Sequence, residues 1–339
     1  MIYIRVDGAN LEGIGMGHLH RMMDLSHHIL KNKGLSPIFI ISGYQETLDS
    51  LNRASFKYIE IDNENETNEI LEIGQSAKKD ILIIDMCDKD EEFVERLLEK
   101  YFVISFDDKL GGAKWSDIVI NSVVDSSNER KNHFCGPKYF LIRPEIAKYN
   151  LKYKKINDNV NKLLVCLGGS DPCSVNLMMI DWLEGLDFSG KIDWVLGSSV
   201  SGKELIIERL KNLKLDITPK INYIDMGKLY HRSDLCISAA GFSLYEMACA
   251  GLPALTICLY SHQIPTAKKF EETGATHNLG YYKDINEVAL KAKLIKFLND
   301  KSQRNSMSRN GKAFVDGLGM ERIVEKIDNY INLKMGETI

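Results

Sequence analysis

Short apolar segments alternate with amphipathic helical patterns along the first half of the chain, and this alternation narrows the choice of fold more than any other feature. The strand-like segments are residues 2–6, 37–41, 58–61, 81–85, 102–106 and 118–121. Helical periodicity fills the stretches 18–33, 45–53, 66–76 and 91–101. Short, mostly apolar strands that alternate with helices predict a parallel sheet covered by helices on both faces.

The alternation restarts in the second half, after a polar stretch at residues 146–161 that is rich in Lys and Asn. Strands are predicted at 162–167, 192–196, 221–224, 235–237 and 254–258, and helices at 175–183, 203–213, 226–232, 243–250, 262–273 and 285–298. Residues 302–332 are predicted to form two or more helices. We predict an α/β protein of two doubly wound Rossmann-type domains, with a ligand cleft between them at the carboxyl ends of their strands.

The polar stretch sets the predicted domain boundaries. We expect an N-terminal domain at 1–148 and a C-terminal domain at 158–310. A closing helical segment, 311–339, could pack back on the first domain. The basic run Lys152-Tyr153-Lys154-Lys155 lies between the domains and is interpreted as a solvated linker rather than a binding surface.

Composition excludes several classes of protein. The 339 residues are 44% apolar and 27% charged, and the net charge of −4 argues against a general nucleic-acid binder. No apolar run approaches the ~20 residues that span a bilayer, and Arg5 and Asp7 interrupt any signal-peptide pattern at the N-terminus. The seven cysteines have no C-x-x-C spacing, which indicates buried side chains in a reducing compartment. We therefore expect a cytoplasmic protein with no membrane span and no nucleic-acid partner.

A glycine-rich loop, Gly13-Ile14-Gly15-Met16-Gly17-His18, joins the first strand to the first helix. It delivers His18 to the helix N-terminus, where unpaired N–H groups attract anions and an imidazole can titrate near neutral pH. The alternative is a structural corner with a solvent-facing histidine. The loop resembles a dinucleotide fingerprint, but its last glycine comes one residue early and no acidic partner follows at the usual distance.

Two loops of the second half have a similar form. Gly168-Gly169-Ser170-Asp171-Pro172 follows a strand and either donates N–H groups to phosphate or makes a tight turn. In the second loop, Ser243 and Glu246 are spaced either as a capping box or as a ribose-binding pair at a helix start. The segment 197–203 copies most of a Walker A loop, but Glu204 stands where Ser or Thr must bind magnesium.

Other polar residues follow predicted strands at the same edge, namely Asp85 to Asp88, Asp107-Asp108 and His262-Gln263. Paired carboxylates are costly to bury without partners. They indicate substrate hydroxyl recognition, a metal site or an exposed turn. Since no His or Cys with metal-ligand spacing accompanies them, we predict no metal and no cofactor.

Taken in order over residues 1–280, these motifs resemble those of the nucleotide-sugar hydrolases of pseudaminic acid biosynthesis and the related spore-coat polysaccharide proteins. The matching residues are Arg5-Val6-Asp7, Gly15-x-Gly17-His18-x-x-Arg21, Ile84-Asp85, Phe106-Asp107-Asp108, Gly136-Pro137-x-Tyr139-x-Leu141-Ile142-Arg143-Pro144-Glu145, Gly168 to Pro172, Ser238-Ala239-Ala240-Gly241-x-Ser243-x-x-Glu246, Gly251-Leu252-Pro253 and Gln263. The resemblance implies the two-domain fold of GT-B glycosyltransferases.

The resemblance also implies a reaction. Water attacks the anomeric carbon of a UDP-linked 2,4-diacetamido-2,4,6-trideoxyhexose, UDP leaves, and the configuration inverts. His18 would be the general base and Arg21 would belong to the catalytic set. The implied substrate-binding residues are Asp7, Gly17, Asp85, Arg143, Gly169, Ser170, Gly241, Ser243, Glu246, His262 and Gln263.

Two positions depart from the hydrolase pattern. Met86-Cys87 stand where the family has His-Tyr near the sugar, and His262 stands where it has Asn near the phosphates. The departures leave open an inverting GT-B glycosyltransferase that uses a UDP-sugar in surface polysaccharide or flagellin glycan synthesis. A third hypothesis is a nucleotide-sugar sensor without catalysis. The sequence does not fix the sugar, the acceptor or the oligomeric state.

Overall fold

In a computed structural model of the chain, two compact units each carry their own sheet. The structure describes residues 1–9, 15–74, 79–86, 89–106, 111–123, 131–169, 171, 173–197 and 199–336. The first unit comprises Met1–Arg143 with Leu318–Ile339, and the second comprises Pro144–Gly317. Helices and strands are numbered along the whole chain.

The described part of the first unit contains a seven-stranded parallel sheet. Its strands are β1 (Ile2–Arg5), β2 (Ile38–Ile41), β3 (Tyr58–Glu60), β4 (Asp80–Ile84), β5 (Tyr101–Phe106), β6 (Ile118–Asn121) and β7 (His133–Cys135). They lie in the order β3-β2-β1-β4-β5-β6-β7. The order reverses between β1 and β4, where Ile4 is in register with Ile83.

Helices cover both faces of this sheet. They are α1 (Gly17–Lys33), α2 (Gln45–Arg53), α3 (Glu66–Ile73), α4 (Glu91–Leu98) and, from the end of the chain, α13 (Gly319–Gly336). Ile2 and Ile4 of β1 pack in one core with apolar residues of α1 and α13, whereas Tyr3 packs in the other core with α3 and α4. This division follows from the strand period of two, because successive side chains point to opposite faces.

The second unit repeats the same plan. Its strands are β8 (Lys162–Cys166), β9 (Lys191–Leu196), β10 (Asp216–Ile221), β11 (Leu235–Ala239), β12 (Ala254–Cys258) and β13 (His277–Tyr281). Its helices are α5 (Pro144–Ala147), α6 (Val175–Leu183), α7 (Lys203–Asn212), α8 (Met226–Arg232), α9 (Ser243–Ala250), α10 (Ile264–Glu272), α11 (Glu287–Asn299) and α12 (Lys301–Phe314). The strand order β10-β9-β8-β11-β12-β13 reverses between β8 and β11. Both sheets therefore confirm the predicted doubly wound α/β class.

Three strands at sheet edges differ from the prediction. The segment 221–224 was wrong as a strand, because β10 ends at Ile221 and Ile224 is 85% exposed. The strands β7 and β13 were not predicted. Edge strands have one neighbour only, so they tolerate polar residues and even Pro219, and they lack the apolar run that identifies a central strand.

The polar stretch between the predicted domains is also different from expectation. Lys154 is only 7% exposed, and its ammonium donates hydrogen bonds to the carbonyl oxygens of Tyr230, His231 and Ser233 at 3.0, 2.7 and 2.7 Å. The interpretation of a solvated linker is therefore wrong for Lys154, which is part of the interior of the second unit.

Six of the seven cysteines lie in the part of the chain that the structure describes, and these six are free thiols. Cys166, Cys236, Cys249 and Cys258 are buried, as the sequence predicted, whereas Cys135 and Cys173 are half-buried. No described helix is both long and apolar enough to cross a membrane.

Candidate active site

The reversal of strand order places two predicted site residues at the same edge of the first sheet. Asp7 follows β1 and Asp85 follows β4, and these strands are neighbours on either side of the reversal. In open α/β sheets, ligands bind outside the carboxyl ends of the strands at this point. Helix α1 begins at Gly17 and carries His18 and Arg21 in its first turn.

His18, Arg21 and Asp85 form one hydrogen-bonded group, named here the His18 group. Asp85 Oδ1 lies 2.7 Å from His18 Nδ1. Arg21 Nε donates to Asp85 Oδ2 at 2.6 Å, and Arg21 Nη2 donates to Asp85 Oδ1 at 2.5 Å. Asp85 is 1% exposed and Arg21 is 7% exposed, whereas the His18 side chain keeps 24% of its surface exposed. The group thus joins the buried carboxylate of Asp85 to the accessible imidazole of His18.

Electrostatics keep the Asp85 carboxyl ionised. Burial raises its pKa, but the charge of Arg21 and the hydrogen bonds from Arg21 and His18 outweigh burial, so the pKa of Asp85 lies below its usual range. An ionised Asp85 accepts the hydrogen of His18 Nδ1, which leaves Nε2 as the nitrogen with a lone pair in the neutral ring. Arg21 Nη2 lies 3.2 Å from His18 Nδ1, so the two partners of Asp85 are also close to each other. This arrangement suits a general base.

Asp7 belongs to a separate buried network beside the His18 group. Its carboxylate pairs with Arg5 Nη1 at 2.8 Å and accepts hydrogen bonds from Ser42 N at 2.8 Å and Ser42 Oγ at 2.7 Å. Arg5 is fully buried and also donates to Glu66 at 2.5 Å, and Glu66 pairs with Lys89 at 2.6 Å. These contacts show that Asp7 stabilises the carboxyl ends of β1 and β2. Its contact with substrate stays a prediction.

Gly17 and Arg143 are the other two predicted site residues of the first unit. Gly17 is the exposed first residue of α1. Arg143 is half-buried, and its charge, like that of Arg53, reaches His20 in the first turn of α1. Burial lowers the pKa of His20, and the charges of Arg143 and Arg53 lower it further. Two arginines of the first unit therefore act on the start of α1.

In the second unit, the first glycine loop follows β8 at the reversal of strand order. A Cβ on Gly197 would overlap the backbone of Gly169, and Ser199 N donates to Gly169 O at 3.1 Å. The segment that imitates a Walker A loop is thus packed against the loop at Gly169. Asp171 accepts hydrogen bonds from Val175 N at 2.7 Å and Asn176 N at 3.0 Å, so it caps α6.

The second loop of this unit follows β11, on the other side of the reversal. Helix α9 starts at Ser243 and its N-cap residue is Phe242, so Ser243 lies within the helix and not at the N-cap position that the capping-box interpretation gives it. Glu246 is half-buried and accepts a hydrogen bond from the Tyr230 hydroxyl at 3.1 Å. Its carboxylate is thus tied to α8 by this hydrogen bond.

Gln263 approaches the same loop from the end of β12. Its Oε1 accepts hydrogen bonds from Leu259 N at 2.8 Å and Tyr260 N at 3.4 Å. Its Nε2 is 3.9 Å from the point where a Cβ on Gly241 would lie. The exposed His262 ring stacks on Tyr260, with ring centroids 5.4 Å apart. Gly241 and Gln263 are therefore brought together beside an aromatic pair.

Several predicted residues lie outside the described part of the chain, and two described residues were missed. The undescribed ones are Gly13, Cys87, Asp88, Asp107, Asp108, Ser170 and Pro172. The missed ones are Arg5, which was quoted only as part of a motif, and Tyr230. For Arg5 the available signal was a charged side chain at the end of an apolar strand, where a buried partner is needed.

The chain is similar in sequence to known proteins. Residues 191–323 match the glycosyltransferase family 28 C-terminal domain. The chain is 28% identical over 323 residues to the spore coat polysaccharide biosynthesis protein SpsG of Bacillus subtilis (strain 168), a match that covers 91% of this chain and 93% of SpsG.

Solved structures resemble the whole chain. MurG of Acinetobacter baumannii has a TM-score of 0.75 at 15% identity, covering 97% of this chain and 99% of MurG. The UDP-GlcNAc 2-epimerase of Neisseria meningitidis, solved with bound UDP-GlcNAc, has a TM-score of 0.66 at 13% identity, covering 97% of this chain and 100% of the epimerase. The chain has a GT-B-like fold with two Rossmann-like domains, as predicted.

Proposed function

We propose that the protein is a UDP-sugar hydrolase that releases UDP from a UDP-2,4-diacetamido-2,4,6-trideoxyhexose with inversion at the anomeric carbon. The observation that carries the proposal is the His18 group, which presents a partly exposed imidazole on a buried, ionised carboxylate. The class of sugar rests on the resemblance of the ordered motifs to the hydrolases of pseudaminic acid biosynthesis.

In this proposal, His18 Nε2 takes a proton from the attacking water. The water oxygen forms a bond to the anomeric carbon as the bond between that carbon and the diphosphate oxygen breaks, and UDP leaves with the electron pair. Asp85 holds the ring orientation and stabilises the imidazolium that forms, while Arg21 keeps Asp85 ionised. General base catalysis of this kind typically contributes about 10²–10⁴-fold.

UDP is assigned to the second unit. The N-terminus of α9 at Ser243 and the adjacent Gly241 supply backbone N–H groups and a positive dipole end for the diphosphate. His262 and Gln263 would donate to phosphate oxygens, and Glu246 would accept hydrogen bonds from the ribose. Support comes from the match to the family 28 C-terminal domain over residues 191–323, which include all five residues.

An inverting glycosyltransferase is the second candidate, because the matching domain family is named for glycosyltransferases. The similarity to SpsG favours a role in polysaccharide synthesis for either enzyme. Met86, next to Asp85, departs from the hydrolase motif and would suit a different sugar or acceptor. The two candidates share His18 as the base and differ in whether water or an acceptor hydroxyl attacks.

The test is incubation of the purified protein with UDP-2,4-diacetamido-trideoxyhexoses in ¹⁸O-water without an acceptor. The hydrolase predicts UDP release with the label in the free sugar. UDP release only after an acceptor is added would replace the hydrolase by the transferase. His18→Gln should lower turnover by about 10²–10⁴-fold, and His28→Gln, further along α1, is the matched control. Full turnover by H18Q would remove His18 from the mechanism.

A further inference from the structure

We propose that Tyr230 is a positioning residue that fixes the Glu246 carboxylate for the ribose hydroxyls of UDP. The inference rests on the proposed function, since it takes Glu246 as the ribose acceptor. It concerns a residue on α8 that shares no sequence motif with Glu246 on α9. Tyr230 does not itself touch the nucleotide in this proposal and acts through Glu246.

The geometry supports a dedicated contact. Tyr230 is 1% exposed, and its hydroxyl donates to Glu246 Oε2 at 3.1 Å. Glu246 is half-buried, and its Oε2 is bonded to a buried hydroxyl. A buried donor on Oε2 restricts rotation of the carboxylate about its last torsion, which is otherwise broad and poorly defined. A fixed carboxylate is what recognition of two neighbouring hydroxyls needs.

The Tyr230 hydroxyl stays protonated because its pKa is raised. Burial raises its pKa well above the ordinary value, and the nearby Glu246, Cys166 and Cys236 raise it further. The phenol therefore stays neutral and can serve the carboxylate only as a donor. Since its hydrogen points at Glu246, the phenol does not take the place of Glu246 as the acceptor for the ribose hydroxyls.

The backbone that carries Tyr230 is anchored as well. The Lys154 ammonium donates to the carbonyl oxygens of Tyr230, His231 and Ser233, which lie at the C-terminal end of α8. A cation at this end satisfies carbonyls that have no partner within the helix and complements its dipole. The chain of contacts from Lys154 through α8 to Tyr230 explains why a lysine between the predicted domains is buried.

The test compares the binding of UDP and 2′,3′-dideoxyuridine diphosphate by isothermal titration calorimetry. Tyr230→Phe should weaken UDP binding by about 3–10-fold, the effect of losing one hydrogen bond. It should leave binding of the dideoxy nucleotide, which has no ribose hydroxyls for Glu246, unchanged. In a Glu246→Ala background, Y230F should have no further effect on UDP binding, because the contact is already gone.

Tyr101→Phe is the matched control. The Tyr101 hydroxyl is also buried and donates to Ile70 O at 2.6 Å, but it lies in the first unit. Y101F should therefore lower thermal stability without changing UDP affinity. The Phe substitutions remove one oxygen from a side chain that stays buried, and a melting curve verifies that each variant is folded.

Three results would overturn the inference. UDP affinity that Y230F leaves unchanged removes the positioning role. An equal loss for UDP and the dideoxy nucleotide assigns Tyr230 a general structural role, as does an undiminished effect of Y230F in the E246A background. These results leave the proposed function in place, whereas a wild-type protein that does not bind UDP would overturn the proposed function together with the inference.

Discussion

Replacing Asp85 by Asn would remove a buried negative charge that His18 and Arg21 share. The carboxylate makes two hydrogen bonds with Arg21, at 2.5 and 2.6 Å, and one with His18 at 2.7 Å. The amide oxygen of Asn can accept at most the two bonds now made to one carboxylate oxygen, but its NH₂ group then faces the remaining donor, and the guanidinium stays buried without a counter-charge. The substitution therefore changes charge while conserving shape.

The expected loss of stability follows from the burial of the pair. Removing one partner of a buried ion pair costs about 3–5 kcal/mol, because the remaining charge is left uncompensated. A 1 kcal/mol loss lowers Tm by about 2–4 °C in domains of 150–250 residues, so Asp85→Asn should lower Tm by roughly 6–20 °C. The variant should nevertheless fold, because native proteins typically have a stability of about 5–15 kcal/mol.

The expected loss of activity is separate from the loss of stability. An amide at position 85 favours the wrong tautomer of His18 and cannot stabilise an imidazolium, so kcat should fall by about 10²–10⁴-fold at a temperature where the variant is folded. Affinity for UDP should not change, because the residues assigned to UDP belong to the second unit. UDP release from the labelled-water reaction and calorimetric titration measure the two quantities.

The pH dependence supplies an independent check. The folded-state pKa of Asp85 is lowered, so its ionised form contributes stability that is present above pH 3.8 and lost as the pH falls through the folded value. The difference in Tm between wild type and D85N should thus be constant from pH 5 to 8 and shrink below about pH 4. Asp181→Asn, which breaks an exposed ion pair with Arg209, should cost less than about 1 kcal/mol. Wild-type turnover and Tm in D85N would refute the role of Asp85.

Three further variants test the second unit. Burial lowers the pKa of Lys154 to about 7, so above this pH the folded state releases a proton that the unfolded chain keeps up to pH 10.5. Urea titrations should therefore show that the free energy of unfolding of wild type rises relative to that of Lys154→Met, by up to about 1.4 kcal/mol per pH unit between pH 7 and 9.5. Arg304 donates to the carbonyl oxygens of Phe297, Leu298, Asn157 and Asp158; because an ammonium cannot reach all four, Arg304→Lys should lower the free energy of unfolding by about 2–4 kcal/mol. Gly197→Ala would push a Cβ into the Gly169 backbone and should destabilise the unit by about 1–3 kcal/mol and weaken UDP binding, as calorimetry would show; unchanged values would contradict the packing of these two loops.

The central strands were predictable because both faces of each parallel sheet are covered. Ile81 to Ile84 in β4, for example, are all buried, so the whole segment is apolar in the sequence. The other edge strand of the first sheet, β3, was predicted, but the edge strands β7 and β13 were missed and β10 was misplaced. In β13, every residue from His277 to Tyr281 is half-buried, and the sequence His-Asn-Leu-Gly-Tyr has neither an apolar run nor a polar-apolar alternation. A strand with a single neighbour has no sequence signal as strong as a buried run.

The candidate site was predictable in its members and not in their contacts. His18 and Asp85 could be singled out because each follows a strand at the carboxyl edge of the sheet. Their hydrogen bond joins residues 67 positions apart and depends on β1 and β4 being neighbours in the sheet. The contact between Tyr230 and Glu246 depends in the same way on the packing of α8 against α9. Periodicity indicates which residues are buried but not which of them meet.

Buried charge is where the structure adds most to the sequence, and it also separates structural from chemical residues. Arg5 is enclosed by acceptors of its own unit, and Lys154 is held by three carbonyl oxygens, so both serve the fold. The His18 group differs, because the buried, ionised carboxylate of Asp85 is hydrogen-bonded to His18, whose side chain is 24% exposed. Burying Asp85 and Arg21 is costly unless they are paired, and the pairing holds His18 in one orientation at the surface. That asymmetry supports His18, rather than any of the more deeply buried charges, as the residue that acts on substrate.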